Sequence, residues 1–173
     1  MAHVNTIEIK ARCTNLHAIR DVLCQQNAHF CGTDRQTDTY FTVNHGRLKL
    51  REGTIENCLV YYQRQNHKGP KQSDVRLFPT SQGSPLKIIL TQSLGILAVV
   101  EKQREIYFIG NVKFHLDEVS RLGTFVEIEA IDNDGTLGRE CLLQQCQSFM
   151  KLLSISPEDL VAESYSDLLL RES

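Results

Sequence analysis

Thr6-Ile7-Glu8-Ile9-Lys10-Ala11-Arg12 is the stretch whose reading decides the fold. With the two-residue period of a strand, Ile7, Ile9 and Ala11 share one face, and Thr6, Glu8, Lys10 and Arg12 share the other. A single strand of this kind is ordinary, because antiparallel sheets often leave one face in water. Here the device recurs along the chain. Arg47, Lys49 and Arg51 alternate with Leu48 and Leu50, and Tyr62 and Arg64 share a face. Lys102 and Arg104 lie opposite Glu101, Gln103 and Glu105; Lys113, His115 and Asp117 lie opposite Val112, Phe114 and Leu116; Glu127 and Glu129 point the same way. An ordinary wet face carries Thr, Ser and Gln. Charges repeated from strand to strand predict instead the lining of a polar cavity.

Between these strands the pattern predicts helices. Thr14 or Asn15 can cap a helix carrying Leu16, Ile19, Val22 and Leu23 at helical spacing. Ser84-Pro85 has the form of a cap and first-turn proline, opening a helix with Leu86, Ile89, Leu90 and Leu94 on its apolar stripe and Gly95 at its end. A third runs over 138–153, and a short one follows Ser156-Pro157. Strands are expected over 36–43, 47–52, 59–64, 74–78, 99–108, 112–117 and 125–131 as well as 6–12, with 66–74 and 80–84 as loops.

A length of 173 residues predicts one domain, 1–173, with enough chain for one good core. The net charge of −2 gives no bulk attraction to nucleic acid, and no apolar run approaches a bilayer span. Met1-Ala2-His3-Val4-Asn5 lacks the basic and apolar regions of a secretory signal, so a cytoplasmic protein is expected. The six cysteines form no CxxC or His/Cys zinc spacing and are expected as free thiols.

The inward candidates include the cations Lys10, Arg12, Lys49, Arg51, Arg64, Lys102, Arg104 and Lys113 and the anions Glu8, Asp117, Glu127 and Glu129. Arg47, Lys49 and Arg51 on one short strand repel each other unless an anion sits between them. Eight cations in a dry, empty cavity would be prohibitively costly, so the cavity must be wet or hold a strongly anionic ligand. Arginine forks and lysine ammoniums suit the oxygens of a polyphosphate chain. Carboxylates alone would repel that ligand. Their sensible role is to hold Mg²⁺ or Mn²⁺, with Glu127 and Glu129 sharing an ion with Glu8. His115, on the face of Asp117, is placed for proton transfer or for a structural hydrogen bond.

In order along the chain, Thr6-Ile7-Glu8-Ile9-Lys10, Gln36-Thr37-Asp38-Thr39-Tyr40-Phe41, Leu48-Lys49-Leu50-Arg51-Glu52, Val100-Glu101-Lys102-Gln103-Arg104 and His115-Leu116-Asp117-Glu118-Val119 resemble a CYTH domain. Leu122-Gly123-Thr124-Phe125-Val126-Glu127-Ile128-Glu129 continues the likeness. CYTH domains belong to the triphosphate tunnel metalloenzymes, which include class IV adenylyl cyclases and thiamine triphosphatases. The closing Ser164-Tyr165-Ser166-Asp167-Leu168-Leu169 is similar to the cyclase-like (CyaB) branch. The resemblance implies an α+β fold: an antiparallel eight-stranded barrel with flanking helices, whose tunnel carries the charges. It implies that Lys10, Lys49, Arg51, Arg64, Lys102 and Arg104 bind a triphosphate, with Lys10, Lys102 and Arg104 also catalytic. It gives Glu8, Asp117, Glu127 and Glu129 to Mg²⁺ or Mn²⁺. ATP, thiamine triphosphate or inorganic tripolyphosphate would be the ligand, cyclisation or hydrolysis the reaction, and a homodimer a common assembly. The family motif usually begins with a glutamate where this chain has Thr6, and that departure leaves a second reading, a binding module with weak or no turnover.

Overall fold

The structure, a computed structural model, describes residues 2–64 and 66–172. Its elements in chain order are β1 (Ala2–Arg12), α1 (Leu16–Gln25), β2 (His29–Phe41), β3 (Arg47–Glu52), β4 (Asn57–Gln63), β5 (Lys71–Pro79) and α2 (Leu86–Leu94). They continue with β6 (Ile96–Ile109), β7 (Val112–Val119), β8 (Gly123–Asp132), α3 (Gly138–Leu152), a 3₁₀ turn (Pro157–Asp159) and α4 (Tyr165–Arg171). The strands close into an antiparallel barrel in the order β1-β5-β4-β3-β2-β6-β7-β8. β1 thus sits between β5 and β8, with Glu8 opposite Glu129 and Lys10 opposite Glu127. Closure pairs every strand on both sides and leaves no open edge. The expected α+β barrel is what forms.

The barrel keeps its apolar core on the outside. Ile7, Ile9 and Ala11 of β1, Phe114 and Leu116 of β7, and Val126, Ile128 and Ala130 of β8 all face outward. There they pack under Ile19 and Leu23 of α1 and Leu142 and Cys146 of α3. Each large side chain buried this way is worth roughly 1.5–3 kcal/mol, so this sandwich of helices on the outer wall carries much of the stability. The outward alternation of the opening strand therefore has a physical partner, and its polar residues are left to face inward. α1 starts where the Asn15 side chain accepts a hydrogen bond from the Ala18 amide at 3.1 Å. α4 starts at a reciprocal capping box between Ser164 and Asp167.

Alternation fixes which barrel mouth each turn occupies. The β3–β4 and β6–β7 turns lie at one mouth, with the start of β1. The opposite mouth is covered by the C-terminal segment: Leu160 bridges to Ala11, and the Val161 amide donates to the Lys10 carbonyl at 2.8 Å. Phe125, Val161, Tyr165 and Leu169 make a second apolar cluster there.

Three expectations need correction. β2 begins at His29 rather than Gln36, because it pairs with the long β6 through a bulge at Gly32, whose φ of +131° suits glycine. β5 begins at Lys71, inside the stretch read as a loop, since Lys71 and Ser73 pair with Glu8 and Thr6. On α2, Leu86, Leu90 and Leu94 are half-buried, whereas Ile89 is exposed, about 100° around the helix from the middle of that stripe.

Candidate functional site

The inward faces enclose a cavity of about 340 Å³. All six cations assigned to a triphosphate, Lys10, Lys49, Arg51, Arg64, Lys102 and Arg104, line it, as does Lys113. Glu8, Glu127 and Glu129 line it too. Arg12 does not: it is exposed at the covered mouth, where its guanidinium donates to the Leu122 carbonyl and stacks on Phe125. Asp117 is also outside the lining. One oxygen accepts from Arg104 Nε at 2.6 Å, and the other from Arg104 Nη2 and from the Tyr165 hydroxyl, the latter at 2.7 Å. With both oxygens engaged, Asp117 orients Arg104.

The chain supplies the anion that the cations of β3 need. Asp38 on β2, almost wholly buried, accepts from Lys49 at 2.8 Å, Lys102 at 2.7 Å, and Arg51 at 2.9 and 3.1 Å. Arg47, the third cation of β3, is held by Asp167 of α4 at 2.7 Å. Glu56, at the end of the β3–β4 turn, bridges Arg51 and Lys113. Arg104 also reaches Glu127 at 2.8 Å, Arg64 pairs with Glu8, and Lys10 lies 3.4 Å from Glu127. These internal carboxylates make a closed barrel of cations tolerable, because a buried charge without a partner costs several kcal/mol.

Burial pulls against this pairing. It would raise Asp38, yet Arg51, Lys102 and Lys49 hold its carboxyl well below the usual range. For Lys102 burial wins over the pull of Asp38: with Arg51, Arg104 and Lys49 adding repulsion, its amine falls to about 7. One carboxylate cannot hold three cations equally, and the compact, strongly hydrated ammonium suffers most. Burial, followed by Glu8 opposite it, pushes Glu129 up to about 7. Burial and Arg104 lower His115 to about 4, so its ring is neutral at neutral pH. With Nδ1 3.1 Å from Glu127, that nitrogen carries the hydrogen and Nε2 is left as an acceptor, buried and unpartnered among the described residues.

The rest of the lining differs in character. Val60 and Tyr62 of β4 and Val75 and Leu77 of β5 give the tunnel one largely apolar wall. On the same face of β5, at the covered mouth, Lys71, fully buried, donates to the carbonyls of Val161 at 2.8 Å and Ala162 at 3.2 Å. Lys10 donates to the Glu163 carbonyl at 3.3 Å and sits 3.7 Å from the centre of the Tyr165 ring. Two lysines thus latch the covering segment to β1 and β5. Among the described residues no three acidic, histidine or cysteine side chains are gathered closely enough to form a ready metal cage. Sequence reasoning missed Asp38, Glu56, Lys71 and Tyr165 as site residues. The family-like stretch around Gln36 to Phe41 contained Asp38 and was the available signal for it. The six cysteines are free, and no described helix is long and apolar enough to cross a membrane.

Comparison with known proteins agrees with this architecture. A Methanocaldococcus jannaschii protein named "Putative adenylate cyclase" is 28% identical over 153 residues, covering 83% of this chain and 80% of its own. The Pyrococcus horikoshii protein PH1012 superposes with a TM-score of 0.78 at 23% identity, over 94% of this chain and 98% of that one. A Hippeastrum protein described as a "Putative adenylyl cyclase" with a dominant triphosphatase activity superposes with a TM-score of 0.60 at 14% identity, over 98% and 95%. At these identities the superpositions speak for the fold alone. The sequence model of the CYTH domain matches residues 5–165, from β1 to the first residue of α4, and the chain belongs to the CYTH domain family.

Proposed function

We propose that the barrel binds the triphosphate group of a nucleotide, thiamine triphosphate or inorganic tripolyphosphate and turns it over with the help of Mg²⁺ or Mn²⁺. The observation that carries this reading is the convergence of Lys10, Lys49, Arg51, Arg64, Lys102, Arg104 and Lys113 on one cavity. Their partners are acceptor carboxylates, which a chain of phosphate oxygens can replace. Arginines on β3, on β6 and just after β4 offer flat forks, and Lys10, Lys49 and Lys102 offer point charges at other heights of the tunnel. Fixed donors of this kind position the chain and stabilise the charge that builds on the leaving phosphate.

Glu8 and Glu129, opposed across β1 and β8, are the residues that would hold the metal, with Glu127 beside them. The fit rests on their chemistry. Glu8 has Arg64 as a partner, but Glu129 has no ion pair among the described residues and its carboxyl is raised to about 7, and Mg²⁺ needs only one or two carboxylates besides water and phosphate oxygens. Bound there, the ion would draw charge from the phosphate oxygens. Because Glu129 must lose its proton to bind it, Mn²⁺ affinity should climb as pH rises, by up to about tenfold per unit below 7, and level off above. Calorimetric titration without nucleotide checks this, and Glu129→Gln should flatten the profile. An equally steep profile in that variant would remove Glu129 from the site.

The deciding experiment is a product screen with ATP, thiamine triphosphate and tripolyphosphate in Mg²⁺ and Mn²⁺. Cyclic AMP with pyrophosphate means attack by the ribose 3′-hydroxyl. Free phosphate means attack by water. The second reading, binding without turnover, is favoured by Thr6: its hydroxyl is buried, is unpartnered among the described residues, and stands beside the equally unpartnered Ser73 hydroxyl. On that reading Thr6→Glu creates turnover at some cost in stability, since it buries a new carboxylate. Efficient turnover by the unaltered protein would dispose of it.

A further inference from the structure

The β3–β4 turn is fixed to the barrel by a carboxylate with no part in the cation row. Asp34 of β2, fully buried, accepts from the amides of Thr54 at 2.6 Å, Ile55 at 2.9 Å and Glu56 at 2.9 Å, and from the Thr54 hydroxyl at 2.9 Å. The Gln36 amide adds a bond at 2.7 Å. Gly53 completes the fit: a Cβ there would lie 2.6 Å from Asp34 Oδ1 and 2.7 Å from the Glu56 carbonyl oxygen. A turn held this way aims Glu56 into the tunnel. One Glu56 oxygen accepts from Arg51 at 2.8 Å and from Gln36 at 3.1 Å. The other meets Lys113, the second residue of β7. In the barrel order β3 and β7 are separated by β2 and β6, so this bridge crosses the tunnel. It lies at the mouth shared by the β3–β4 and β6–β7 turns, opposite the mouth covered by the C-terminal segment.

We infer that Glu56 occupies the place a further phosphate would take, and so sets the length of phosphate chain the tunnel accepts. The inference rests on the triphosphate reading and adds a specificity-determining residue to it. A carboxylate resembles a phosphate edge, with two oxygens that take a guanidinium on one side and an ammonium on the other. A three-phosphate chain engages Lys10, Lys49, Arg64, Lys102, Arg104 and the edge of Arg51 that faces Asp38, and leaves the Glu56 bridge on the other edge intact. A fourth phosphate must share Arg51 and Lys113 with an anion that Asp34 does not allow to swing away. Like charges so placed act against the wrong ligand rather than for the right one.

The test measures dissociation constants of inorganic tripolyphosphate and inorganic tetrapolyphosphate by calorimetry, for the unaltered protein, Glu56→Gln and Asp34→Asn, with thermal melts to confirm folding. The unaltered protein should prefer the three-phosphate chain by about tenfold or more, as expected where like charges are juxtaposed. Glu56→Gln, which keeps the shape and removes the charge, should erase most of that preference by tightening the longer chain. Asp34→Asn, which loosens the turn and leaves the Glu56 side chain unaltered, should move the ratio the same way. Tripolyphosphate binding with an unchanged ratio in Glu56→Gln overturns the inference and spares the triphosphate reading. Binding of neither chain by any of the three proteins overturns that reading, and the inference with it.

Discussion

Asp38→Ala should lower the stability of the barrel by about 3–5 kcal/mol, the range for breaking a buried ion pair from one side. The variant leaves Lys49, Arg51 and Lys102 facing one another with no carboxylate between them. Urea unfolding at neutral pH measures the loss. A second readout tests the cause. Tripolyphosphate supplies the missing negative charge, so it should raise the melting temperature of the variant by more than it raises that of the unaltered protein. The sign of the pH dependence is fixed as well. Asp38 is held below its ordinary range, so its contribution is complete above the unfolded value near 4 and disappears as pH falls toward the depressed folded one. The variant should therefore lose the dependence that Asp38 contributes below about pH 4. A variant as stable as its parent, with the same response to tripolyphosphate, would remove Asp38 from the centre of the network.

Lys102→Met should do the reverse: turnover should fall by about 10²–10³-fold, the range for losing one donor aimed at developing charge, with little or no loss of stability. Methionine keeps the length and flexibility of the stem. Asp38 retains Lys49 and Arg51, and an ammonium that burial already disfavours is gone, so the fold can even gain slightly. Steady-state kinetics beside chemical denaturation separates the two effects. Anion affinity adds a pH signature. Lys102 is charged below about 7 and neutral above, so affinity in the unaltered protein should weaken as pH rises through that value, and the methionine variant should lack that limb. Equal losses of stability and activity would mean that Lys102 serves the fold rather than the ligand.

The half of the tunnel that was legible in the sequence is the half where polarity alternates. On β1, β3, β7 and β8 most outward residues are apolar, and on β6 the outward Glu105 pairs with Arg20 of α1 while Glu101 and Gln103 are exposed, so period two separates inside from outside. Asp38 escaped notice because Thr37 and Thr39 leave both faces of that part of β2 polar. Glu56 sits in a turn, where alternation has no meaning, and its partner Lys113 is brought to it only by closure of the barrel. The apolar wall inverts the rule. Val75 and Leu77 face the tunnel while Arg76 faces out, which a binary pattern assigns the other way. Lys71 lay in a polar, lysine-containing stretch that reads as a loop until Glu8 and Thr6 are seen to pair with Lys71 and Ser73. That Asp117 and Glu127 share Arg104 was not legible either, because alternation puts side chains on one face without saying which cation they meet there.

The position of β1 between β5 and β8 also bears on how the chain is made. Its second partner, reaching Asp132, leaves the ribosome more than a hundred residues after it, and the segment that latches Lys10 leaves later still. Contacts so distant in sequence make for slow folding, because loop closure must precede the contacts that repay it. While it waits, the first strand is an unpaired ribbon with Ile7, Ile9 and Ala11 on one side. Glu8, Lys10 and Arg12 on the other supply charges that discourage its pairing with another nascent chain. The same residues that line the finished tunnel would then act first as guards against aggregation during synthesis.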